Sequence, residues 1–201
     1  KIFPEINEVP ATIYHIELSG LDVRDFDFSG LKNLKTLNLN GVQNLTAKKF
    51  NAISKEVKAS IKTLNLRDVN ATGFDLSGFT NLKTLNFKNV HGLRVKVFNT
   101  ISQEAKASIE TLTLSYLGVK SLGIELVGCL ELIGFSDSDS NFDFSGFTNL
   151  KTLNLSSAQG LTANQFDALL VEVKSSIETL ILKNLNVTNF DFSVLIKLNT
   201  L

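Results

Sequence analysis

One phrase of six residues recurs along this chain of 201 residues. Its first, fourth and sixth positions are apolar, Thr stands at the third position in most copies, and Asn stands at the fifth position in four of them. This alternation predicts a short strand with apolar side chains on one side and polar side chains on the other. A single copy cannot bury its apolar side, so the copies must stack in parallel around one shared core. The copies begin at Ile13, Leu34, Ile61, Leu82, Ile109, Leu130, Leu150, Ile177 and Leu198.

The spacing of the copies alternates between roughly 21 and roughly 27 residues, so the repeating unit is a pair. Each longer member continues with an amphipathic stretch after its strand. In the first of these, Thr46 is a predicted N-cap, and Phe50, Ile53 and Val57 share one helical face. Two later stretches, over residues 93–108 and 161–176, have the same pattern. We therefore expect three amphipathic helices on the outer side of the sheet.

The shorter members carry the sequence Phe-Asp-Phe-Ser-Gly or a close variant, beginning at Phe26, Phe74, Phe142 and Phe190. Its period of two predicts an extended return segment rather than a helix, and the glycine closes a turn. The fold class is therefore predicted to be α/β. We expect a solenoid with a parallel sheet on one side and alternating helices and extended segments on the other.

The pattern Leu-x-x-Leu-x-Leu at these intervals resembles the leucine-rich repeat superfamily over roughly residues 11–201. The resemblance implies a horseshoe or arc whose concave strand face holds a partner. The segments at Val127 and Phe144 are similar to a phrase in surface-protein repeats of bacteria and protists, which favours a secreted or cell-surface microbial protein. The subclass stays open, because the ninth repeat position, commonly Asn or Cys in that family, holds Leu21, Val42, Val69, Val90, Leu117, Ser138, Ala158 and Leu185.

We interpret residues 1–201 as one repeat domain, with residues 1–12 leading into the first repeat. The last copy stops within a strand at Leu201, so further repeats or a cap are expected beyond it. Twenty basic residues balance twenty acidic ones, so no global field favours nucleic acid. No apolar run approaches the roughly 20 residues of a membrane span, and we expect no membrane insertion.

The residues that could carry chemistry are few. Cys129 is the only cysteine, and it takes the place that Asn or Ser holds in other repeats, which indicates a packed turn residue rather than a nucleophile. Asp137, Asp139 and Asn141 resemble the start of a calcium loop, but the required glycine and glutamate are missing. We expect no catalytic site, no metal and no cofactor.

The outward positions of the strands form rows of Thr and Asn. These rows either keep the sheet soluble and pack with each other, or they form a binding surface. We predict a non-enzymatic recognition module that binds a protein, or else a glycan, through this face. The residues that depart from the rows are the predicted contacts, with apolar anchors at Tyr116, Leu132 and Ile181 and steering charges at Arg67, Lys88 and Lys183.

Two other functions stay open at this point. The chain could be the targeting arm of a larger microbial effector or surface protein whose catalytic or anchoring domain lies outside it. The Thr and Asn rows could also match an ice or crystal lattice, although the apolar Leu132 and Ile181 argue against this.

Overall fold

The computed structural model describes residues 13–115, 144–157 and 175–201, together with residues 163, 166, 167, 171 and 173. These residues contain one all-parallel sheet of seven strands in sequence order, and the sheet is not closed. The α/β class and the parallel pairing are therefore confirmed. The strands are β1 (His15–Glu17), β2 (Thr36–Asn38), β3 (Thr63–Asn65), β4 (Thr84–Asn86), β5 (Thr111–Thr113), β6 (Thr152–Asn154) and β7 (Thr179–Ile181).

All strand pairs share one register, in which equivalent positions of the repeat lie opposite each other. The third residue of the phrase in one strand lies opposite the third residue in the next strand, and the central apolar residue lies opposite the central apolar residue. From β2 to β7 these central leucines have no exposed surface, and each contributes roughly 1.5–3 kcal/mol by leaving water. They are Leu37, Leu64, Leu85, Leu112, Leu153 and Leu180.

The pairing of β5 with β6 corrects one sequence prediction. We expected the copy at Leu130 to supply a strand between them, with Leu132 on its outward side. Instead Thr111 pairs directly with Thr152, and the Leu114 N–H donates to the carbonyl of Asn154 at 2.8 Å. The backbone groups that such a strand would need are already bonded to each other, so no strand lies between β5 and β6 in this sheet. Leu132 itself lies outside the described residues.

From β1 to β5, the connections between strands alternate as the two repeat lengths predict. Short helices lie between β2 and β3, namely α1 (Ala47–Asn51) and α2 (Lys55–Ser60), and between β4 and β5, namely α3 (Val95–Phe98) and α4 (Gln103–Ser108). Between β6 and β7, the described residues 163, 166, 167, 171 and 173 are helical. The described connections from β1 to β2 and from β3 to β4 contain no helix.

The connections from β2 to β3 and from β4 to β5 differ from the prediction in one respect, because each holds two short helices where we expected one. Thr46 caps α1 as predicted, and its hydroxyl accepts from the Lys49 N–H at 3.3 Å. A second cap follows at Ser54, whose hydroxyl accepts from the Val57 N–H at 3.3 Å at the start of α2. Ser102 does the same for α4. The apolar periodicity continues through this break, and it therefore concealed the second cap.

Phenylalanines join each longer unit to the shorter unit that follows it. The Phe50 ring of α1 stacks on Phe74 with centroids 4.1 Å apart and lies 5.6 Å from Phe79. Phe98 meets Phe144 in the same way at 5.2 Å, and Phe166 meets Phe190 at 4.3 Å. The Phe-Asp-Phe phrase therefore supplies the rings that the helices need for burial.

A lysine and a glycine form a second joint between the same units. Lys58 of α2 is buried, and its Nζ donates to the backbone carbonyl of Asp75 at 3.3 Å. Burial lowers the pKa of Lys58, and the charge of the Asp75 carboxylate opposes this. A Cβ at Gly78 would stand 2.8 Å from the Lys58 Cδ, so the glycine leaves room for the lysine stem. At Gly146 an added Cβ would clash with the Gln103 side chain instead, and would lie 3.6 Å from the Lys106 Cβ.

The turn after each strand requires a left-handed backbone. The third residue beyond the strand has φ between 53° and 71° wherever it is described. Gly, Asn and Asp tolerate this region best, which explains why they recur at this point of the repeat. Tyr116 falls at the equivalent position and lies outside the described residues. The residues with this conformation are Gly20, Gly41, Asp68, Asn89, Ser157 and Asn184.

The ninth repeat position faces the core in three of the described units, whereas Leu21 at the same position of the first unit is exposed. Val42, Val69 and Val90 are buried there, at no more than 9% exposure. The neighbouring turns are bonded through their backbones, as shown by the Gln43 N–H that donates to the Leu21 carbonyl at 2.9 Å. A ladder of buried Asn side chains is therefore not needed to satisfy these turns.

Replacing Phe50 by Ala tests the joint between units. We expect the free energy of unfolding to fall by about 3–5 kcal/mol, because the change opens a cavity against two rings. Lys48→Ala on the exposed side of the same helix is the control and should change it by less than about 0.5 kcal/mol. Urea unfolding followed by circular dichroism measures both. Equal effects of the two changes would contradict the proposed joint.

Candidate functional site

The outward side of the sheet is its polar face, and two rows of side chains run across its centre. The first of these, the threonine row, is half-buried from β2 to β7. It consists of His15, Thr36, Thr63, Thr84, Thr111, Thr152 and Thr179. Adjacent strands lie about 4.8 Å apart, so this row repeats one hydroxyl group at that spacing.

The second row, the asparagine row, has a structural task. The Asn86 Oδ1 accepts from the backbone N–H of Lys88 at 2.8 Å, and the Asn65 Oδ1 accepts from that of Arg67 at 3.0 Å. Equivalent bonds occur at Asn38 and Asn154. Each asparagine thus caps the turn that follows its strand. This favours the structural interpretation of the asparagines over a role as free ligand groups.

Glu17 takes the asparagine position in β1 and performs the same task. Its carboxylate accepts from the Ser19 N–H at 3.0 Å, from the Ser19 hydroxyl, and from the Asn38 amide at 2.6 Å. These bonds hold the pKa of Glu17 below its usual range, with the Ser19 hydroxyl as the largest cause. In β7 the position is Ile181, whose side chain cannot accept a hydrogen bond, so the cap pattern ends there.

One edge of the polar face carries a row of charges that the sequence analysis did not assign. Residues just before the threonine row form it, and we call it the lysine row. The carbonyl of each accepts two backbone N–H groups from the next unit, as at Lys35, where the Lys62 and Thr63 N–H groups donate at 2.8 and 2.9 Å. The lysine row consists of Tyr14, Lys35, Lys62, Lys83, Glu110, Lys151 and Glu178.

The predicted steering charges lie on the opposite edge, in the turn row that follows the asparagine row. Arg67 and Lys183 are exposed, and Lys88 is half-buried. Arg67 and Lys88 follow adjacent strands, whereas Lys183 follows β7, three strand spacings or about 14 Å beyond Lys88. The Arg67 Nε pairs with Asp68 at 2.9 Å. Ser115 and Ser156, between these groups in the row, are buried, so Lys183 stands apart from the other two steering charges.

The predicted apolar anchors cannot be placed together. Ile181 is half-buried on β7, beside Asn154 of β6. Tyr116 and Leu132 lie outside the described residues. The same holds for Cys129 and for the calcium-like segment at residues 137–141.

Few side chains in the described part of the chain are arranged for metal binding or catalysis. It contains no cluster of three His, Cys, Asp or Glu side chains that could hold a metal ion, and no helix there is long and apolar enough to cross a membrane. The two histidines are well separated, since His15 lies in β1 and His91 in the turn after β4, where Asn70 pairs with it. The polar face is therefore the feature that we assign as the candidate site.

A cluster of hydrogen bonds at Asp22 secures the N-terminal turns below this face. Its carboxylate accepts from the Arg24 backbone N–H at 3.0 Å, from the Arg24 Nε at 2.9 Å and from the Asn44 amide at 2.9 Å. These bonds, led by the Arg24 backbone N–H, lower the pKa of Asp22 to about 2.

Comparison with known proteins identifies no relative. No protein-family model matches this chain, and neither the curated proteins nor the solved structures give a significant match.

Asn86→Ala tests whether the asparagine row is structural. We expect the free energy of unfolding to fall by about 1 kcal/mol, because the Lys88 N–H loses its acceptor. Asn86→Asp keeps an acceptor oxygen at the same place and should retain most of the stability. Urea unfolding compares the two, and an alanine variant as stable as the parent would refute the cap.

The low pKa of Asp22 predicts a pH dependence. The unfolded chain binds this proton near pH 3.8 and the folded chain near pH 2, so stability present above pH 4 is lost as the pH falls through about 2. Asp22→Asn keeps the acceptor for the Arg24 N–H but does not titrate. Between about pH 4 and pH 2, the urea midpoint should fall more steeply for the parent than for this variant. Parallel curves would contradict the assignment.

Proposed function

We propose that this protein is a non-enzymatic recognition module, built as a leucine-rich-repeat type of solenoid, that binds a protein partner through its polar face. The parallel sheet in sequence order and the alternating connections support the solenoid. The observation that carries the binding function is the polar face itself, which extends over seven strands in one register. A rigid, extended surface of this kind suits a macromolecular partner better than a small molecule.

The threonine row supports this proposal most directly. Its central members are half-buried, have short side chains and sit on backbone that is bonded on both sides, so a partner loses little entropy in ordering them. The asparagine row caps its own turns and adds no long side chains to the face. Charged residues stand only at the two edges from β2 to β7, where they can steer a partner without being buried beneath it.

A bulky neutral residue at the centre of the face tests this function. Thr84→Tyr places a ring on the threonine row of β4, where Tyr suits a strand and the charge is unchanged. We expect this variant to capture at least about tenfold less partner protein from an extract of the source cells than the parent does.

The matched control is Lys48→Tyr, which places the same ring on the exposed side of α1, whose Phe50 packs into the core. It should capture as much partner as the parent. Circular dichroism should show that both variants stay folded. Equal capture by Thr84→Tyr and the parent would reject the polar face as the binding surface.

A further inference from the structure

The charges of this protein are not spread evenly, although its formal net charge is zero. Over β2, β3 and β4 the lysine row contributes Lys35, Lys62 and Lys83, and the turn row contributes Arg67 and Lys88. The four rows of these three strands contain no Asp or Glu. We call this part of the polar face the basic platform.

The rest of the polar face does not share this charge. Over β5, β6 and β7 the two edge rows hold Glu110, Glu178, Lys151 and Lys183, which cancel. In β1 the asparagine position is Glu17. The basic platform is therefore bounded by β1 on one side and by β5 on the other. At each boundary a Glu takes a position of the repeat that holds Asn or Lys from β2 to β4.

Nearby carboxylates reduce this charge only in part. Asp68 pairs with Arg67 in the turn, and Glu110 of the next strand pairs with Lys83 at 2.9 Å. Both pairs are exposed to solvent, so they are weak and can be exchanged for a partner's carboxylates. No carboxylate pairs with Lys35 or Lys62 among the described residues.

The dimensions of the basic platform fit a polypeptide segment. The lysine row and the turn row are five positions apart along the chain, or about 16 Å for extended backbone. Lysines of the lysine row on adjacent strands follow each other at about 4.8 Å. Between the edges lie neutral Thr and Asn, which can donate hydrogen bonds to backbone carbonyls. We propose that the basic platform binds an acidic polypeptide segment of the partner, an inference that rests on the proposed function of the polar face.

Side-chain chemistry favours a peptide over other polyanions. Bases and sugar rings are usually held by aromatic side chains, and the four rows over β2 to β4 contain none. Phosphate and sulfate favour the paired donors of Arg, but the basic platform holds one Arg beside four Lys. Lysines act as point charges and accept carboxylates at variable spacing, as a flexible acidic segment requires.

A defined peptide tests this inference without knowledge of the natural partner. A labelled peptide of alternating Glu and Ser is titrated with the intact protein, and fluorescence anisotropy reports binding. We expect binding at low salt and an affinity at least about tenfold weaker at about 0.5 M salt, while the same peptide with Gln in place of Glu should not bind.

Charge reversal locates the site. The triple variant Lys35→Glu/Lys62→Glu/Lys83→Glu should bind the acidic peptide at least about tenfold more weakly than the parent. The matched control reverses three exposed lysines of the helical connections, Lys48→Glu/Lys55→Glu/Lys96→Glu, and has the same net charge. It should retain most of the affinity, and circular dichroism checks that both triples are folded.

Three results would overturn the inference. Equal loss in both triple variants would mean that net charge rather than the basic platform attracts the peptide. Binding of heparin but not of the peptide would assign the platform to a sulfated glycan. No binding of the peptide, combined with loss of partner capture by Thr84→Tyr, would leave the proposed function in place and reject only the acidic partner.

Discussion

The register of the parallel ladder is the constraint on which the rest of this structure depends. At the start of each strand one carbonyl accepts two N–H groups from the following unit, as the Lys62 carbonyl does from Lys83 and Thr84 at 2.7 and 3.1 Å. A slip by one residue would exchange the two faces and place every Thr in the core. Because all six strand pairs keep the same register, the leucines form one continuous interior and the polar residues one continuous surface.

Units of two lengths can share this register because the difference is absorbed on the other side of the sheet. The connections from β2 to β3 and from β4 to β5 each add two short helices, and the shorter unit that follows supplies residues that pack against them. Phe50 is stacked on Phe74, and the buried Lys58 stem occupies the space left by Gly78. The helices are too short to be stable alone, so their stability comes from this packing. Each longer unit therefore needs a shorter unit beside it to bury its helices.

The sequence predicted most of this architecture, since hydrophobic periodicity reports directly on burial. The strand phrase, the parallel pairing and the alternating connections were all visible in it. The Ser54 cap was missed because the periodicity runs through it. A strand at Leu130 was expected between β5 and β6 because its apolar residues are in phase with the other copies, but apolar residues in phase do not establish which strands pair. For the candidate site, the threonine, asparagine and turn rows could be predicted, but the lysine row was overlooked. Its residues precede the alternating part of the phrase, and a strict two-residue period places them on the inner side of the strand.

The same register also determines where specificity can arise. Residues of the threonine and asparagine rows are constrained by their neighbours and by the turns they cap, so they recur with little change from β2 to β6. In the lysine row, Lys, Glu and Tyr occupy equivalent positions while their backbone carbonyls complete the ladder. The turn row holds Ser, Asn, Arg or Lys within the same register. A repeat protein of this kind can thus keep a uniform central surface for contact and vary the charge along its edges, and it is at the edges from β2 to β4 that this chain departs most from neutrality.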